Sequence, residues 1–450
     1  ITSKSYSNGC NAGYTSLSRD LDEQINLYPS LIHVFSAGNN GSSSCTNPYI
    51  AGTNGANWGN VTGGHKQAKN VIAVANLESD GDLASSSSRG PAADGRIKPD
   101  IGAKGTGVNS TIPENDYGLK TGTSMACPGI AGVMGQLYQA YKDLNGGQNP
   151  NSSVMKNALL NAADDIGNPG PDFKHGWGEV NVLRAVTIIE DNQYIIDNIS
   201  QGFNNSHSIS IPPGTRQLKL MVYWHDKEAS ANASFALVND LDIELFDNSG
   251  NSVELPWVLD PTPNTTALNT NAIKGVDNIN NMEQITMDDP MPGNYELIVS
   301  GNSIPFGPQE YSVSYVFLKD EITLTYPVGG ESWVPGDFEI IRWDAYGDNG
   351  TFTLEYTDNG GASWNSISSS ISGSSRQFTW LSIPNSVSDN VKLRVSRNSY
   401  SDESDDYLTI IDVPTNFNIY WPCPDSLNFS WNSVNSATSY EISMLGQKYM

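Results

Sequence analysis

A serine in a glycine-rich, small-residue segment has the setting that most suggests chemistry in this chain. Ser124 lies in the run GTSMACP, residues 122–128, directly before a stretch with helical periodicity. Pro128 is expected in the first helical turn, where its missing N–H costs no hydrogen bond. Ser124 is therefore predicted at the positive end of a helix, where its own backbone N–H can face a developing oxyanion.

The predicted helix, residues 124–144, carries a glycine at every third position of its first half: Gly129, Gly132 and Gly135. Glycine lowers helix propensity, so we expect these positions to be approached closely by neighbouring elements. Cys127 falls inside this helix and is expected to be buried.

Asn39 is the second candidate. It follows the apolar run LIHVFSA, residues 31–37, which predicts a strand buried on both faces of a parallel sheet. Ligands of such sheets bind beyond the carboxyl ends of the strands, so the Asn39 carboxamide is a candidate second donor to the oxyanion. Alone, such a serine is usually a helix cap and such an asparagine a turn residue; the prediction rests on their combination.

The elements around these residues predict an α/β sheet followed by β domains. Strands are expected at 31–37, 71–75 and 99–101, and helices at 16–28, 124–144 and 154–163. Beyond residue 186 apolar residues alternate with period two, which predicts β-sandwiches. At 450 residues the chain is long enough for three or four domains.

Composition excludes some functions. The chain has 24 Lys+Arg against 49 Asp+Glu, a formal charge of -25, which argues against a nucleic-acid partner and favours high solubility. No segment has the apolar length of a membrane span.

The spacing of the four cysteines does not predict a zinc site. Cys10 and Cys45 flank the presumed pocket and are a candidate disulfide pair for an oxidising compartment, a pairing that depends on a distance the sequence does not give. The oligomeric state stays open.

Three motifs carry a resemblance to the subtilisin-like serine proteases, the subtilases. The run GTSMACP at 122–128 resembles the family's nucleophile motif, and AGN at 37–39 resembles its oxyanion motif. SRGP at 88–91 with DGRIKPD at 94–100 resembles the segment that connects them, and the resemblance extends over about the first 190 residues. It implies that Ser124 is acylated, that Asn39 donates to the oxyanion, and that a partial subtilisin-like parallel sheet holds them.

The resemblance also implies a substrate-binding region. Ser5, Tyr6 and Ser7 resemble the family's substrate-binding strand, although a serine stands where glycine is more usual. The two motifs add further substrate-binding candidates: Gly38, Gly122 and Thr123. The expected partners are protein or peptide substrates, and the chemistry requires no cofactor.

The chain departs from the family at the catalytic triad. The triad runs Asp, His, Ser along the chain, yet no Asp-Ser-Gly, Asp-Thr-Gly or His-Gly-Thr-His sequence precedes Asn39. Ordinary structural roles are expected for all five histidines: His33, His65, His175, His207 and His225. We therefore interpret the chain as the carboxy-terminal portion of an endopeptidase, cut at both ends, and expect it to be inactive alone.

Later segments have resemblances of their own. Residues 195–318 resemble the jelly-roll-like β-sandwich appended to alkaline subtilases, whose relatives often bind calcium. Asp240, Asp242 and Glu244 share one face of a predicted strand there, so either a structural calcium ion or plain solvation is expected. Residues 320–412 resemble an immunoglobulin-like domain and residues 413–450 the start of a fibronectin type III domain.

The resulting prediction is a secreted, bacterial serine endopeptidase of the subtilisin-like family, with residues 1–190 forming the end of its catalytic domain. The alternative is a non-catalytic extracellular adhesion or carbohydrate-binding protein with a remnant subtilase domain. Retention of both Ser124 and Asn39 favours the protease.

Overall fold

A computed structural model describes residues 1–10, 12–42, 57–423, 426–435 and 437–442. The chain divides into two compact units, Ile1–Leu318 and Lys319–Met450. Residues 1–190 and 195–318, which the sequence predicts as two domains, therefore lie within one unit. Among the described residues, no helix has the length and apolar character needed to span a membrane.

A parallel sheet forms the centre of the first segment. Its four strands are adjacent in chain order: β1 (Thr2–Lys4), β2 (His33–Ser36), β3 (Ile72–Leu77) and β4 (Ile101–Lys104). Every residue of β2 and β3 is buried, as expected for strands covered on both faces. The predicted α/β sheet is present, and the loops after β1 and β2 lie at its carboxyl edge.

Helices and a hairpin complete this segment. The helices are α1 (Ser16–Leu27), α2 (Thr123–Leu144), α3 (Ser152–Ala162) and α4 (Val182–Glu190), with a 3-10 turn at His65–Gln67. The hairpin consists of β5 (Val108–Ile112) and β6 (Asp116–Lys120). Helix α2 packs against all four strands of the sheet through one apolar face, which includes Ile130, Met134 and Leu137.

Two expectations for α2 are wrong. Pro128 is the sixth residue of the helix and not part of its first turn. Gly129 and Gly132 are exposed, and Gly135 is half-buried. A Cβ placed on any of these glycines would meet no atom within 4 Å. The glycines lie away from the apolar face, so close packing does not explain them.

The rest of the first unit is rich in strands. Its elements are β7 (Tyr194–Ile199), β8 (Asn204–Ile211), β9 (Thr215–Tyr223), β10 (Asp240–Phe246), β11 (Ser252–Glu254), β12 (Trp257–Val258), α5 (Thr265–Asn269), β13 (Ile273–Lys274), β14 (Met282–Asp288), β15 (Gly293–Ser303) and β16 (Gln309–Lys319). Eight of the strands form two four-stranded sheets, ordered β11-β10-β15-β8 and β14-β9-β16-β7, and β12 pairs with β13. Inward-facing residues of both four-stranded sheets, such as Leu220, Ile243 and Val299, form a single apolar core.

Buried asparagines of α3 join this sandwich to the α/β segment. All eleven residues of α3 are buried. The Asn157 amide donates to the carbonyls of Met221 (3.1 Å) and Ser312 (2.8 Å), on β9 and β16. Asn161 repeats the pattern one turn later, to carbonyls of the same two strands. Since buried carbonyls need donors, these bonds make the sandwich part of the same compact unit.

The regular elements in the described residues of the second unit are all strands. Its core includes Trp343, Leu354 and Val395. The bounds are β17 (Ile322–Tyr326), β18 (Ser332–Trp333), β19 (Glu339–Ala345), β20 (Thr351–Thr357), β21 (Asn365–Ser372), β22 (Gln377–Trp380), β23 (Ser388–Arg397), β24 (Tyr400–Glu403), β25 (Leu408–Ile410), β26 (Thr415–Cys423) and β27 (Ser426–Asn432). The β-rich carboxy-terminal part is thus confirmed, while the jelly-roll, immunoglobulin and fibronectin types stay predictions.

Candidate functional site

The Asn39 side chain is fixed by the first residue of α2. Its Oδ1 accepts hydrogen bonds from the backbone N–H of Thr123 (3.0 Å) and from the Thr123 hydroxyl (2.9 Å). The same hydroxyl accepts from the backbone N–H of Gly38 at 3.2 Å. With Oδ1 held in this way, the Nδ2 amide is the part of the carboxamide left to donate elsewhere. Asn39 is exposed and follows β2 at the carboxyl edge of the sheet.

Two glycines allow the close contact between Asn39 and the start of α2. Gly38 has φ +122° and Gly122 has φ +148°, values that side chains disfavour. A Cβ on Gly38 would lie 2.4 Å from Thr62 Oγ1, and one on Gly122 would lie 3.1 Å from Asn39 Nδ2. Both glycines therefore shape the backbone around Asn39.

Ser124 is the second residue of α2, and its own N–H has no acceptor within the helix. Its carbonyl also lacks the usual partner four residues later, because Pro128 has no N–H. The Ser5 hydroxyl donates to this carbonyl at 3.1 Å. A side chain from the end of β1 thus replaces the helix hydrogen bond that proline removes, directly at the candidate nucleophile.

The predicted substrate-binding residues 5–7 follow β1 and are exposed, outside the regular strand. The Tyr6 ring stacks on His65, with ring centroids 4.9 Å apart. His65 in turn contacts Phe35 of β2 at 4.8 Å between centroids and hydrogen-bonds Asn8 through Nδ1. The chain at 5–8 is therefore seated on the buried sheet, beside the start of α2.

The five histidines have structural partners, and among the described residues none hydrogen-bonds Ser124. The contacts are His33 with the Thr2 hydroxyl, His65 with Asn8, His175 with Asp172, His207 with Tyr311 and His225 with the Ser152 hydroxyl. Burial lowers the pKa of His33 and of His65 to about 4, and that of His225 to about 3. These imidazoles are neutral near pH 7.

Further polar residues support the loop at 38–40, and the sequence did not reveal them. The Thr62 hydroxyl donates to the Ala37 carbonyl and accepts from the buried Lys66 ammonium at 2.6 Å. The backbone N–H of Asn40 donates to the Ser88 hydroxyl at 3.0 Å. Burial lowers the pKa of Lys66 to about 8. Thr62 and Ser88 are distant in sequence from Asn39, so only the fold places them here.

The cysteines agree in part with expectation. Cys127 is buried and free, with its Sγ 3.4 Å from the Val34 carbonyl. Cys10 is disulfide-bonded. Cys45 lies outside the described residues, so its pairing with Cys10 stays a prediction.

The three acidic calcium candidates alternate along β10 and share its half-buried face. Oδ1 of Asp240 and Oδ1 of Asp242 are buried without a hydrogen-bond partner, as is Oε1 of the buried Glu283 on β14. Burial and the neighbouring Asp242 raise the pKa of Asp240 to about 6. In the part of the chain that the structure describes, no three His, Cys, Asp or Glu side chains form a group that could hold a metal ion.

Comparison with known proteins shows which family the first segment resembles. Residues 1–178 match the sequence model of the subtilase family. The serine protease/ABC transporter B family protein tagA of Dictyostelium discoideum is 27% identical over 269 residues, which cover 50% of this chain and 15% of tagA. The minor extracellular protease Vpr of Bacillus subtilis is 39% identical over 117 residues, 23% of this chain and 14% of Vpr.

The chain thus spans about a sixth or less of these relatives. Among solved structures, the prenylagaramide maturation protease PagA aligns with 41% of this chain and 60% of its own, at 23% identity and a TM-score of 0.32.

Proposed function

Residues 1–178 belong to the subtilase family, and from this premise we propose that Ser124 is the acyl-accepting nucleophile of a serine endopeptidase. The observation that carries the proposal is the pair of hydrogen bonds from Thr123 to Asn39 Oδ1. These bonds orient the Asn39 amide as a preorganised donor next to the first turn of α2. Preorganised donors of this kind supply much of the transition-state stabilisation in acyl transfer.

In the proposed chemistry, the Ser124 hydroxyl attacks a peptide carbonyl carbon, and the carbonyl oxygen becomes an oxyanion. The oxyanion accepts hydrogen bonds from the Ser124 backbone N–H and from Asn39 Nδ2. The positive end of α2 favours the same charge. No metal or organic cofactor is needed for these steps.

Deprotonation of the Ser124 hydroxyl requires a general base within hydrogen-bond reach. None of the described histidines fits this role, because none of them hydrogen-bonds Ser124 and each has a different partner. We therefore propose that the protease has a base other than these five residues, and that the polypeptide 1–450 alone does not turn over peptides.

The proposed substrate is an extended peptide lying beside residues 5–7 and Asn39. The side chain of Tyr6 is exposed and offers a surface for this peptide. Secretion is proposed from the extracellular bacterial relative and from the disulfide-bonded Cys10, since disulfides persist in oxidising compartments.

Labelling with a fluorophosphonate probe tests the assignment. The polypeptide 1–450 should be phosphonylated no faster than its Ser124→Ala variant, because no general base activates the Ser124 hydroxyl. Rapid labelling at Ser124 would show that a base is present after all. Tight binding to polysaccharide, with no serine reactivity under any condition, would favour the non-catalytic alternative.

We also propose that a calcium ion relieves the charge crowding on β10. The buried, unpartnered oxygens of Asp240 and Asp242 support it, since calcium sites combine a few carboxylates with carbonyls and waters. Chelation should lower the melting temperature of the first unit, and Asp242→Asn should abolish the chelator effect. An unchanged melting temperature with EDTA would contradict calcium binding.

A further inference from the structure

A buried lysine begins a series of hydrogen bonds that leads to the loop of Asn39. The Lys66 ammonium donates to the Thr62 hydroxyl at 2.6 Å. The Thr62 hydroxyl donates in turn to the Ala37 carbonyl at 3.2 Å. Both hydrogen bonds are buried, so the positive charge of Lys66 acts on the peptide group between residues 37 and 38 through the interior of the protein.

The same peptide group continues the series on its other side. Its N–H, which belongs to Gly38, donates to the Thr123 hydroxyl at 3.2 Å. The Thr123 hydroxyl donates to Asn39 Oδ1 at 2.9 Å. We call this series, from Lys66 through Thr62, the peptide group 37–38 and Thr123 to Asn39, the Lys66–Asn39 network. It ends on the carboxamide whose Nδ2 is the proposed oxyanion donor.

The groups themselves fix the direction of every hydrogen bond in the network. An ammonium group only donates and a carbonyl oxygen only accepts, so the Thr62 hydroxyl accepts from Lys66 and donates to Ala37. A backbone N–H only donates, so the Thr123 hydroxyl accepts from Gly38 and donates onward. All the donors therefore point from Lys66 towards Asn39. Hydrogen bonds that are aligned in this way polarise one another.

Lys66 is 1% exposed, and among the described residues no carboxylate pairs with it. Other buried lysines differ in this respect, because an aspartate pairs with each of Lys69, Lys98 and Lys156. Burial lowers the pKa of Lys66 to about 8, and Cys127 on α2 acts in the opposite direction. Most of Lys66 is therefore charged at pH 7. A buried charge without a counter-ion costs stability, so an ion pair does not explain this lysine.

We propose that Lys66 is a positioning residue of the oxyanion site, whose charge polarises the Lys66–Asn39 network and makes Asn39 Nδ2 a stronger hydrogen-bond donor. The low dielectric constant of the interior favours this effect, because it leaves the charge poorly screened. The inference rests on the proposed role of Asn39 in acyl transfer. It adds to that role a residue that touches neither the substrate nor Ser124.

The Lys66→Met variant tests the proposal in the complete chain. Methionine keeps an unbranched side chain and removes a buried charge, so the variant is expected to fold. Lys219→Met is the matched control. Lys219 is also buried, burial lowers its pKa to about 8 as well, and it donates to the Ala163 carbonyl, outside the network.

The first readout is the rate at which a fluorophosphonate phosphonylates Ser124 with imidazole as an external base. Polarisation strengthens a hydrogen bond by ~10–30%, and loss of an oxyanion donor slows turnover ~100- to 1,000-fold. Lys66→Met should therefore slow phosphonylation by ~2- to 8-fold, and Lys219→Met should leave it unchanged. In an Asn39→Leu background Lys66→Met should have no further effect. Equal slowing in both backgrounds would overturn the proposal.

The second readout is the NMR signal of the Asn39 carboxamide, which does not depend on any reaction of Ser124. Asparagine labelled with ¹⁵N supplies the signals, and their loss in Asn39→Asp assigns them. Lys66→Met should move the Nδ2 protons to lower chemical shift, because a less polarised N–H is less deshielded. The backbone amides at 38–40 should stay protected from hydrogen exchange, and Lys219→Met should move nothing.

Two variants of Thr62 separate the network from a direct effect of the charge through space. Thr62→Val breaks the network and should move the Asn39 signal as Lys66→Met does, whereas Thr62→Ser keeps the hydroxyl and should not. A signal unmoved by Lys66→Met, or moved by Lys66→Met but not by Thr62→Val, would overturn the proposal. A signal that moves as expected while Ser124 stays unlabelled would support the network and contradict the proposed nucleophile instead.

Discussion

The nucleophile region and the acidic face of β10 handle polar groups in opposite ways. Around Asn39, neutral donors and acceptors are matched: Thr123 fixes the carboxamide, and the Ser5 hydroxyl satisfies the Ser124 carbonyl. On β10, by contrast, Asp240 and Asp242 each keep a buried oxygen without a partner. The nucleophile region is preorganised to bind an oxyanion and needs a general base, whereas the acidic face of β10 carries uncompensated negative charge that attracts a cation.

The largest expected effect concerns the preorganised donor. With a high concentration of imidazole as an external base, a fluorophosphonate should slowly phosphonylate Ser124, with fluoride as the leaving group and imidazole accepting the hydroxyl proton. Asn39→Leu should reduce that rate by ~100- to 1,000-fold. This magnitude is the loss of turnover that follows removal of the equivalent oxyanion donor in subtilisin. Stopped aliquots analysed by mass spectrometry give the rate.

Asn39→Asp is the matched variant, because its carboxylate can still accept both hydrogen bonds from Thr123 while losing the Nδ2 donor. Its labelling rate at Ser124 should fall as far as that of Asn39→Leu. The backbone amides of the loop at residues 38–40 should stay as protected from hydrogen exchange as in the unchanged chain. If Asn39→Asp retained the full rate, the side chain would be structural and not an oxyanion donor.

The two regions should respond to pH with opposite signs. His33 and His65 have folded pKa values of about 4, below the ~6.5 of an unfolded chain, so the unfolded state binds more protons as pH falls. Their contribution to the free energy of unfolding is present above pH ~6.5 and is lost on acidification toward pH 4. Asp240 has a folded pKa of about 6, above the ~3.9 of an unfolded chain, so its ionisation costs stability as pH rises from ~4 to ~6.

Denaturant unfolding of the His65→Gln and Asp240→Asn variants between pH 4 and 7 separates the two contributions to stability. The histidine variant should show a smaller loss toward acid, and the aspartate variant a gain in stability that grows toward pH 7. The same direction of change in both variants would refute the contrast.

A smaller effect concerns the carbonyl of Ser124. Ser5→Ala should cost about 1 kcal/mol, the usual net value of one hydrogen bond. In a Pro128→Ala background the helix can supply its own N–H to that carbonyl, so Ser5→Ala should cost close to nothing. A thermal-unfolding double-mutant cycle measures the coupling, and additive effects would argue against the replacement.

The smallest effect is expected on the open face of α2. Gly129→Ala and Gly132→Ala should each stabilise the chain by ~0.5–1 kcal/mol, because alanine favours helix and nothing lies within 4 Å of the new Cβ. Gly38→Ala is the contrasting control and should destabilise, since its φ is +122° and its Cβ would overlap Thr62. The melting temperature of each variant measures the effect. A lower melting temperature for Gly129→Ala would mean that this face of α2 is covered in solution.

Sequence patterns predicted the regular elements of the first segment well, because burial on both faces of a sheet leaves a continuous apolar run such as residues 31–37. They placed Ser124 at the start of a helix and Asn39 at the end of a strand. They failed at Pro128, which lies inside the helix: the carbonyl that it leaves without a helical partner is that of Ser124, and this carbonyl accepts a hydrogen bond from Ser5, 119 residues before Ser124. They also failed at the α2 glycines, since spacing shows a shared face but not what covers it.

The sequence patterns also did not predict contacts between segments that are far apart along the chain. Thr62 and Ser88 hydrogen-bond the loop that carries Asn39, and although Ser88 begins the motif SRGP, the sequence did not show this role for either residue. Asn157 and Asn161 resemble ordinary helix residues in sequence, yet their amides join the α/β segment to the sandwich. A division into domains at residues 190–195 follows from the change of periodicity and cannot reveal such bonds.

The most direct test of the central claim is the site and imidazole dependence of fluorophosphonate labelling on the complete polypeptide. Labelling should be negligible without imidazole, and with imidazole it should be slow, confined to Ser124 and absent in Ser124→Ala. Fast labelling without imidazole, or imidazole-dependent labelling that persists in Ser124→Ala, would contradict the proposed role of Ser124.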